Sequence, residues 1–140
     1  MGASQSLFST VHQNDPLNFR VDNATNYQAV SDFLKFDKAE LAKIAGVRET
    51  SIRFDNKIPA DLRERLDQIA NICSLVAEYF DGDSYKTALW FKTPNPMLGD
   101  VTPRDMIRLG RYKRLLKFIN ESRSAYASQT AETKAENANA

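Results

Sequence analysis

The chain has 140 residues, 42% hydrophobic and 26% charged, enough for one ordinary domain or two very small ones packed together. Lys and Arg total 19 and Asp and Glu 18, for a formal net charge of +1, a balance that by itself demands neither nucleic acid nor a membrane surface. One cysteine excludes an intrachain disulfide, and the lone His12 leaves no histidine-based dyad, triad or metal cluster.

Residues 1–25 are polar and aperiodic, with Asp15-Pro16 as a turn signal, and read as a flexible leader. The start Met1-Gly2-Ala3-Ser4-Gln5-Ser6 formally fits a myristoylation pattern, but no polybasic patch follows to supply the second signal that stable anchoring needs. No apolar run approaches membrane-spanning length, and no membrane partner is expected. From Asn26 the pattern turns helical, with Tyr27, Val30, Phe33 and Leu34 on one face. Asp37 reads as the cap of a second helix to about Ala45, with Leu41, Ile44 and Ala45 inward and Gly46 at its end. A short third helix is predicted over Arg48–Phe54.

The clearest helix is Asp61–Phe80, where Leu62, Leu66, Ile69, Cys73, Val76 and Phe80 recur at alternating spacings of three and four, with Pro59 at its start. On that stripe Cys73 is a small core hydrophobe rather than a reactive thiol. Asp81-Gly82-Asp83 reads as a turn rather than a cation site, and Ser84 as the cap of a helix that carries Trp90 and Phe91 into the core. That helix stops at about Lys92, because Pro94 and Pro96 remove donors and turn their predecessors away from helical geometry. Thr102-Pro103 reads as a cap followed by a first-turn proline, opening a run with Met106, Ile107, Leu115, Leu116, Phe118 and Ile119 inward. Gly110 inside this run, at about 1 kcal/mol relative to alanine in a helix, marks a break or a close packing point. Residues 122–140 are rich in Ala, Glu, Thr, Asn and Ser without apolar periodicity and read as a disordered tail. No strand alternation survives inspection, so the expected class is all-α.

Two surface features carry possible chemistry. Lys38 to Arg53 looks like a helix-turn-helix of the Xre type: Ala42 is small enough for a close crossing, Gly46 makes the turn, and Val47 and Ile52 plug the joint. A recognition helix starting near Arg48 would turn Arg48, Glu49, Thr50, Ser51 and Arg53 towards a major groove, with Lys57 just beyond. Asp55 stands where an apolar residue is wanted, so that helix should end early. The stretch Asp37 to Lys57 holds basic Lys38, Lys43, Arg48, Arg53 and Lys57 against acidic Asp37, Glu40, Glu49 and Asp55, a weak footprint for DNA. The second feature is the run Arg104, Arg108, Arg111, Lys113, Arg114, Lys117 and Arg123, opposed only by Asp105 and Glu121. Such a run is a solvated face, or else a surface for an acidic partner or for phosphates.

The segment Leu89–Ile119 resembles the C-terminal domain of the MbcA/ParS/Xre antitoxins, through Trp90, Thr93-Pro94-Asn95, Leu98-Gly99, Pro103 and Gly110. With the helix-turn-helix the resemblance spans about Tyr27 to Ile119. It implies a helix-turn-helix bundle over 26–80, including the long connecting helix, packed with a small helical toxin-binding domain over 81–121. It further implies a cytoplasmic, homodimeric antitoxin of a type II pair, neither an enzyme nor a binder of cofactor or small-molecule substrate. The partner would be a toxin, commonly an NAD-consuming RES-domain enzyme, and operator DNA would be bound for self-repression. On this reading the toxin would be met by Arg108, Arg111, Lys113, Arg114, Lys117 and Phe118, with part of the tail. Many relatives end in a small-residue and aromatic terminus near the toxin's active site; here Asn120–Ala140 is polar and shows no such end. The alternative is a stand-alone helix-turn-helix regulator without a toxin.

Overall fold

A computed structural model describes residues 15–139, with side chains as far as Tyr126. Of the expected leader, residues 1–14, with the myristoylation pattern and His12, lie outside the described residues. The remainder of that leader is built into the fold. The Asp15 carboxylate accepts from the Phe19 and Arg20 amides, both at 2.9 Å. Phe19 is buried and meets Phe33 edge to face, with ring centroids 5.7 Å apart. A two-residue antiparallel pair follows, β1 (Arg20–Val21) against β2 (Ala24–Thr25), turned by Asp22 and Asn23 at positive φ. One buried ring in an otherwise polar stretch is too little periodicity for sequence reading to find.

Six α-helices among the described residues make the body, and local capping chemistry sets most of their ends. In α1 (Tyr27–Phe33) the Asn26 side chain accepts from the Ala29 amide. In α2 (Lys38–Ala45) Asp37 and Glu40 form a reciprocal capping box, and Gly46 ends the helix at φ 69°. Pro59 stands at the head of α3 (Ala60–Tyr79), which buries Leu62, Leu66, Ile69, Ile72, Cys73, Val76 and Ala77. The cap of α4 (Ser84–Lys92) is Asp83 rather than Ser84: its carboxylate accepts from the Lys86 amide at 3.0 Å. Thr102 caps α5 (Pro103–Arg108) as expected, its hydroxyl accepting from the Asp105 amide at 3.0 Å.

The run after Thr102 is two helices. Gly110 at φ 78° turns the chain between α5 and α6 (Tyr112–Asn139), while the Arg111 amide reaches back to the Met106 carbonyl at 2.7 Å. Helix α6 continues through 122–139, where composition predicted a disordered tail. Ala, Glu, Lys and Gln are good helix formers, and a helix already nucleated over 112–119 needs only to propagate. Composition that cannot build a core can still carry helix.

Helices α1, α2, α4 and α6 all pack on α3, and α5 bridges α2, α4 and α6. One apolar cluster runs through all of them, from Phe19 through Leu41, Leu66 and Phe91 to Met106, Leu115 and Ile119. The segments 26–80 and 81–121 therefore share their core. The described residues are mostly helical, and the all-α class expected from the sequence holds, the short β-pair aside. Among them no helix is long and apolar enough to cross a membrane.

Candidate functional site

The helix-turn-helix joint is built from the residues its sequence demanded, but its second helix is absent. Leu41, Ala42, Ile44 and Ala45 of α2 are buried, the Val47 amide closes on the Ala42 carbonyl at 3.0 Å, and Ile52 is buried. Instead of a helix over Arg48–Phe54 there is one 3-10 turn, Glu49–Ser51, after which Ile52 is extended. Asp55 is a reason: its carboxylate accepts from the Lys57 amide at 3.0 Å, and from Arg53 Nε at 2.7 Å and Nη2. Such side-chain turns compete with helix, and Pro59 keeps Ile58 out of the helical region. Arg48, Glu49, Thr50, Arg53 and Lys57 are exposed and Ser51 half-buried. Of the expected base-reading side chains, Arg53 has its fork engaged by Asp55, and that guanidinium holds the Asp55 carboxyl below the usual carboxylate range.

The basic surface of α5 and α6 divides by what each cation touches. Arg104 is an internal joint. Its Nε donates to the Leu34 carbonyl at 2.6 Å and its Nη2 to the Lys35 carbonyl at 2.9 Å and to Glu40 Oε1 at 3.0 Å. The same guanidinium lies 4.6 Å from the Phe36 ring centroid. It thereby satisfies the orphan carbonyls at the end of α1 and ties them to α2 and α5. Arg108 pairs with Asp105 at 3.0 Å, and Arg123 with Glu78 at 3.0 Å. Arg111, Lys113, Arg114 and Lys117 are exposed, and among the described residues none lies in an ion pair. Helical periodicity puts Lys113, Arg114 and Lys117 opposite the buried Leu115 and Ile119. Phe118 falls to the side, half-buried, on a groove shared with α3 and Trp90.

The motif that looked most distinctive is mainly architectural. Thr93 Oγ1 donates to the Leu89 carbonyl at 2.6 Å, closing the end of α4. Asn95 Oδ1 accepts from the Met97 amide at 2.9 Å to cap the 3-10 turn Pro96–Leu98. Leu98 plugs the core, and the Asn95 amide bonds the Val101 carbonyl at 3.1 Å before Thr102 and the buried Pro103 start α5. Phe91 is fully buried, whereas Trp90 is only partly so, stacked edge to face on Phe91 at 5.0 Å. Asp83 serves as a helix cap and Asp81 as a positive-φ turn residue.

Sequence reasoning missed a second basic spot, where Lys35 from the end of α1 meets Lys92 from the end of α4. Lys92 is held below the usual ammonium range chiefly by the Lys35 charge, then by desolvation. No spacing rule links positions so far apart in sequence.

Fold and surface together describe a small all-helical protein, in which α2 with the 3-10 turn after it and the basic edge of α6 hang on one core. No family model matches the chain. It is 32% identical over 82 residues to a curated protein named Antitoxin Xre, from Photorhabdus laumondii subsp. laumondii. That match covers 56% of this chain and 55% of the relative, so the chain spans just over half of that protein's length. The kinship agrees with the resemblance to MbcA/ParS/Xre antitoxins carried by the motifs of Leu89–Ile119. A chain of the M. tuberculosis MbcT-MbcA toxin-antitoxin complex is similar at 21% identity, over 68% of this chain and 87% of that one, with a TM-score of 0.44. At that score the structural likeness bears no weight.

Proposed function

We propose that this chain is the antitoxin of a type II toxin–antitoxin pair, which holds a partner toxin inactive by direct contact through the outward basic face of α6. The observation that carries the reading is the sequence kinship to Antitoxin Xre; the charge at the start of α6 supports it. Helix N-termini favour acidic residues, yet the first turn of α6 has none; Lys113 and Arg114 stand there, with Arg111 just before it. Local stability is given up for a positive surface, which suits a toxin whose facing surface is acidic. Arg111, Lys113, Arg114 and Lys117 make the central contact, with Arg108 at its edge; Phe118 adds an apolar margin. An NAD-consuming RES-domain enzyme is the toxin class that the resemblance implies.

Operator binding is the second half of the proposal. A single 3-10 turn presents too little surface for a set of base contacts, so Arg48 and Lys57 act on phosphates, with Thr50 at the groove edge. One such module makes few phosphate contacts, and useful affinity calls for a homodimer.

The test is co-expression with the product of the adjacent gene, scoring growth, cellular NAD and co-purification. The expected result is toxicity of the neighbour alone, rescue by this chain, and a stable complex. Reversing Arg111, Arg114 and Lys117 to Glu restores toxicity while helical content is unchanged. A harmless neighbour that forms no complex would sink the antitoxin reading and leave a stand-alone regulator, for which salt-dependent binding to its own promoter is the decisive measurement.

A further inference from the structure

Two lysines from distant parts of the chain end side by side on the surface. Helix α1 closes in a Schellman arrangement: the Phe36 amide donates to the Ser31 carbonyl at 3.2 Å and the Lys35 amide to the Asp32 carbonyl at 3.1 Å. Lys35 fills the left-handed position of that motif at φ 55°, where glycine or asparagine is usual. Its carbonyl accepts from Arg104 Nη2 at 2.9 Å, which fixes the backbone that carries the side chain. Lys92 is the last residue of α4, and α5, which carries Arg104, packs on α4. The Lys35 and Lys92 ammonium groups come within hydrogen-bonding reach of each other, and Arg104 adds a third positive charge.

Helix dipoles account for one cation at each of these C-termini, but not for two brought together. Both lysines are exposed, and among the described residues neither lies in an ion pair. The carboxylates that follow in sequence are engaged elsewhere. Asp37 accepts from the Glu40 amide at 2.7 Å, and Glu40 from the Asp37 amide at 3.1 Å and from Arg104 at 3.0 Å. Carbonyls at the two helix ends, which would repel an anion, are covered as well. Arg104 donates to those of Leu34 and Lys35, and Thr93 Oγ1 to that of Leu89. The lysine pair is therefore unfavourable in the free fold, and an anion between the two ammonium groups relieves it.

Two ammonium point charges with three donors each suit the spread oxygens of a phosphate, whereas a carboxylate is matched better by the flat fork of arginine. The position of the pair selects the source. Lys35 lies three residues before Lys38, which opens α2, and the first helix of a helix-turn-helix crosses the DNA backbone. The eight residues of α2 separate the pair from Arg48. That is about 12 Å, roughly three to four base steps along one strand.

We infer that Lys35 and Lys92 together grip a backbone phosphate of duplex DNA, as a second anchor besides Arg48 and Lys57. The inference rests on the operator-binding half of the proposed function. It gives the segment after residue 81 a share in DNA binding, beyond the toxin contact proposed for it.

The full-length protein is titrated with a duplex of its own promoter and with an unrelated duplex, each across a range of salt. Lys35→Gln/Lys92→Gln is compared with Lys86→Gln/Arg123→Gln, which removes the same charge from exposed positions. The pair variant should bind both duplexes more weakly, with the slope of log affinity against log salt reduced by about 0.9 per protomer, one phosphate each. The control should keep the parent slope. Without DNA, the pair variant should melt at or above the parent temperature, because a repulsion has been removed. A parent that binds while the pair variant keeps its affinity and slope overturns the inference and leaves operator binding standing. A parent that binds neither duplex at low salt removes both. Equal weakening in the control overturns the inference too, since general charge would then explain the loss. So does a pair variant that binds DNA like the parent but no longer co-purifies with the toxin, the anion then being a carboxylate of a protein.

Discussion

Arg104 belongs by composition to a run of seven cations and by geometry to the interior. Three hydrogen bonds and a ring contact fix a side chain that is only 20% exposed. Hydrogen bonds from a charged group contribute about 1.5–3 kcal/mol each at most, and less where they act together. Arg104→Ala should therefore destabilise the fold by roughly 2–4 kcal/mol in urea unfolding, chiefly by orphaning the Leu34 and Lys35 carbonyls. Arg104→Lys should recover only part, since one ammonium cannot reproduce the planar fork. A loss under about 0.5 kcal/mol for the alanine variant, the range of an exposed ion pair, would show that the joint carries nothing. Sequence alone left Arg104 indistinguishable from Lys113 or Lys117, because its partners lie some seventy positions away. Asp37 was legible as the cap of α2, but Glu40 was legible neither as its partner in the capping box nor as the acceptor for Arg104.

At the scale of the element, glycine and caps told most and short helices told least. Gly110 was readable as a special point; that it ends one helix and begins another was decided by φ 78°, a region other residues enter at a cost. Nothing lies within 4 Å of a Cβ added there, so Gly110→Ala tests conformation without steric conflict. It should lower stability by about 1–2 kcal/mol, and Gly110→Asn by less, since asparagine tolerates the left-handed region. Thermal unfolding measures both; an unchanged or raised midpoint for alanine would mean that α5 and α6 can fuse into one helix. The turn at Glu49–Ser51 went the other way. Apolar spacing at Val47 and Ile52 correctly marked the joint, yet helix nucleation is unfavourable and Asp55 draws Arg53 and the Lys57 amide into a local turn. The side chains that would have read bases were legible as residues but not as a helix.

For the whole molecule, the shared cluster predicts one cooperative unit. Leu66 is buried in α3 and Leu115 in α6, on opposite sides of the expected domain boundary, and both belong to the same core. Replacing either with alanine should cost about 2–5 kcal/mol. In both variants the helical signal and Trp90 fluorescence should be lost at one midpoint. Separate midpoints, with Leu66→Ala sparing the Trp90 transition, would mean that the two segments fold independently.

What the sequence determined by itself is everything that local chemistry controls. The helical segments α1 to α4, the cap at Asp37, the stop at Gly46, the proline-bounded loop after Lys92 and the apolar stripe of α3 all follow from interactions within a few residues. The all-α class was legible for the same reason. Only the tertiary structure decided which polar residues face inward, as with Arg104, and which aromatic residues stay on the surface, as with Tyr79 and Trp90. It also decided that Phe19 is core, and that Phe118 lies on a groove rather than on the basic face. Those outcomes depend on contacts between segments distant along the chain, for which neither periodicity nor composition supplies a signal.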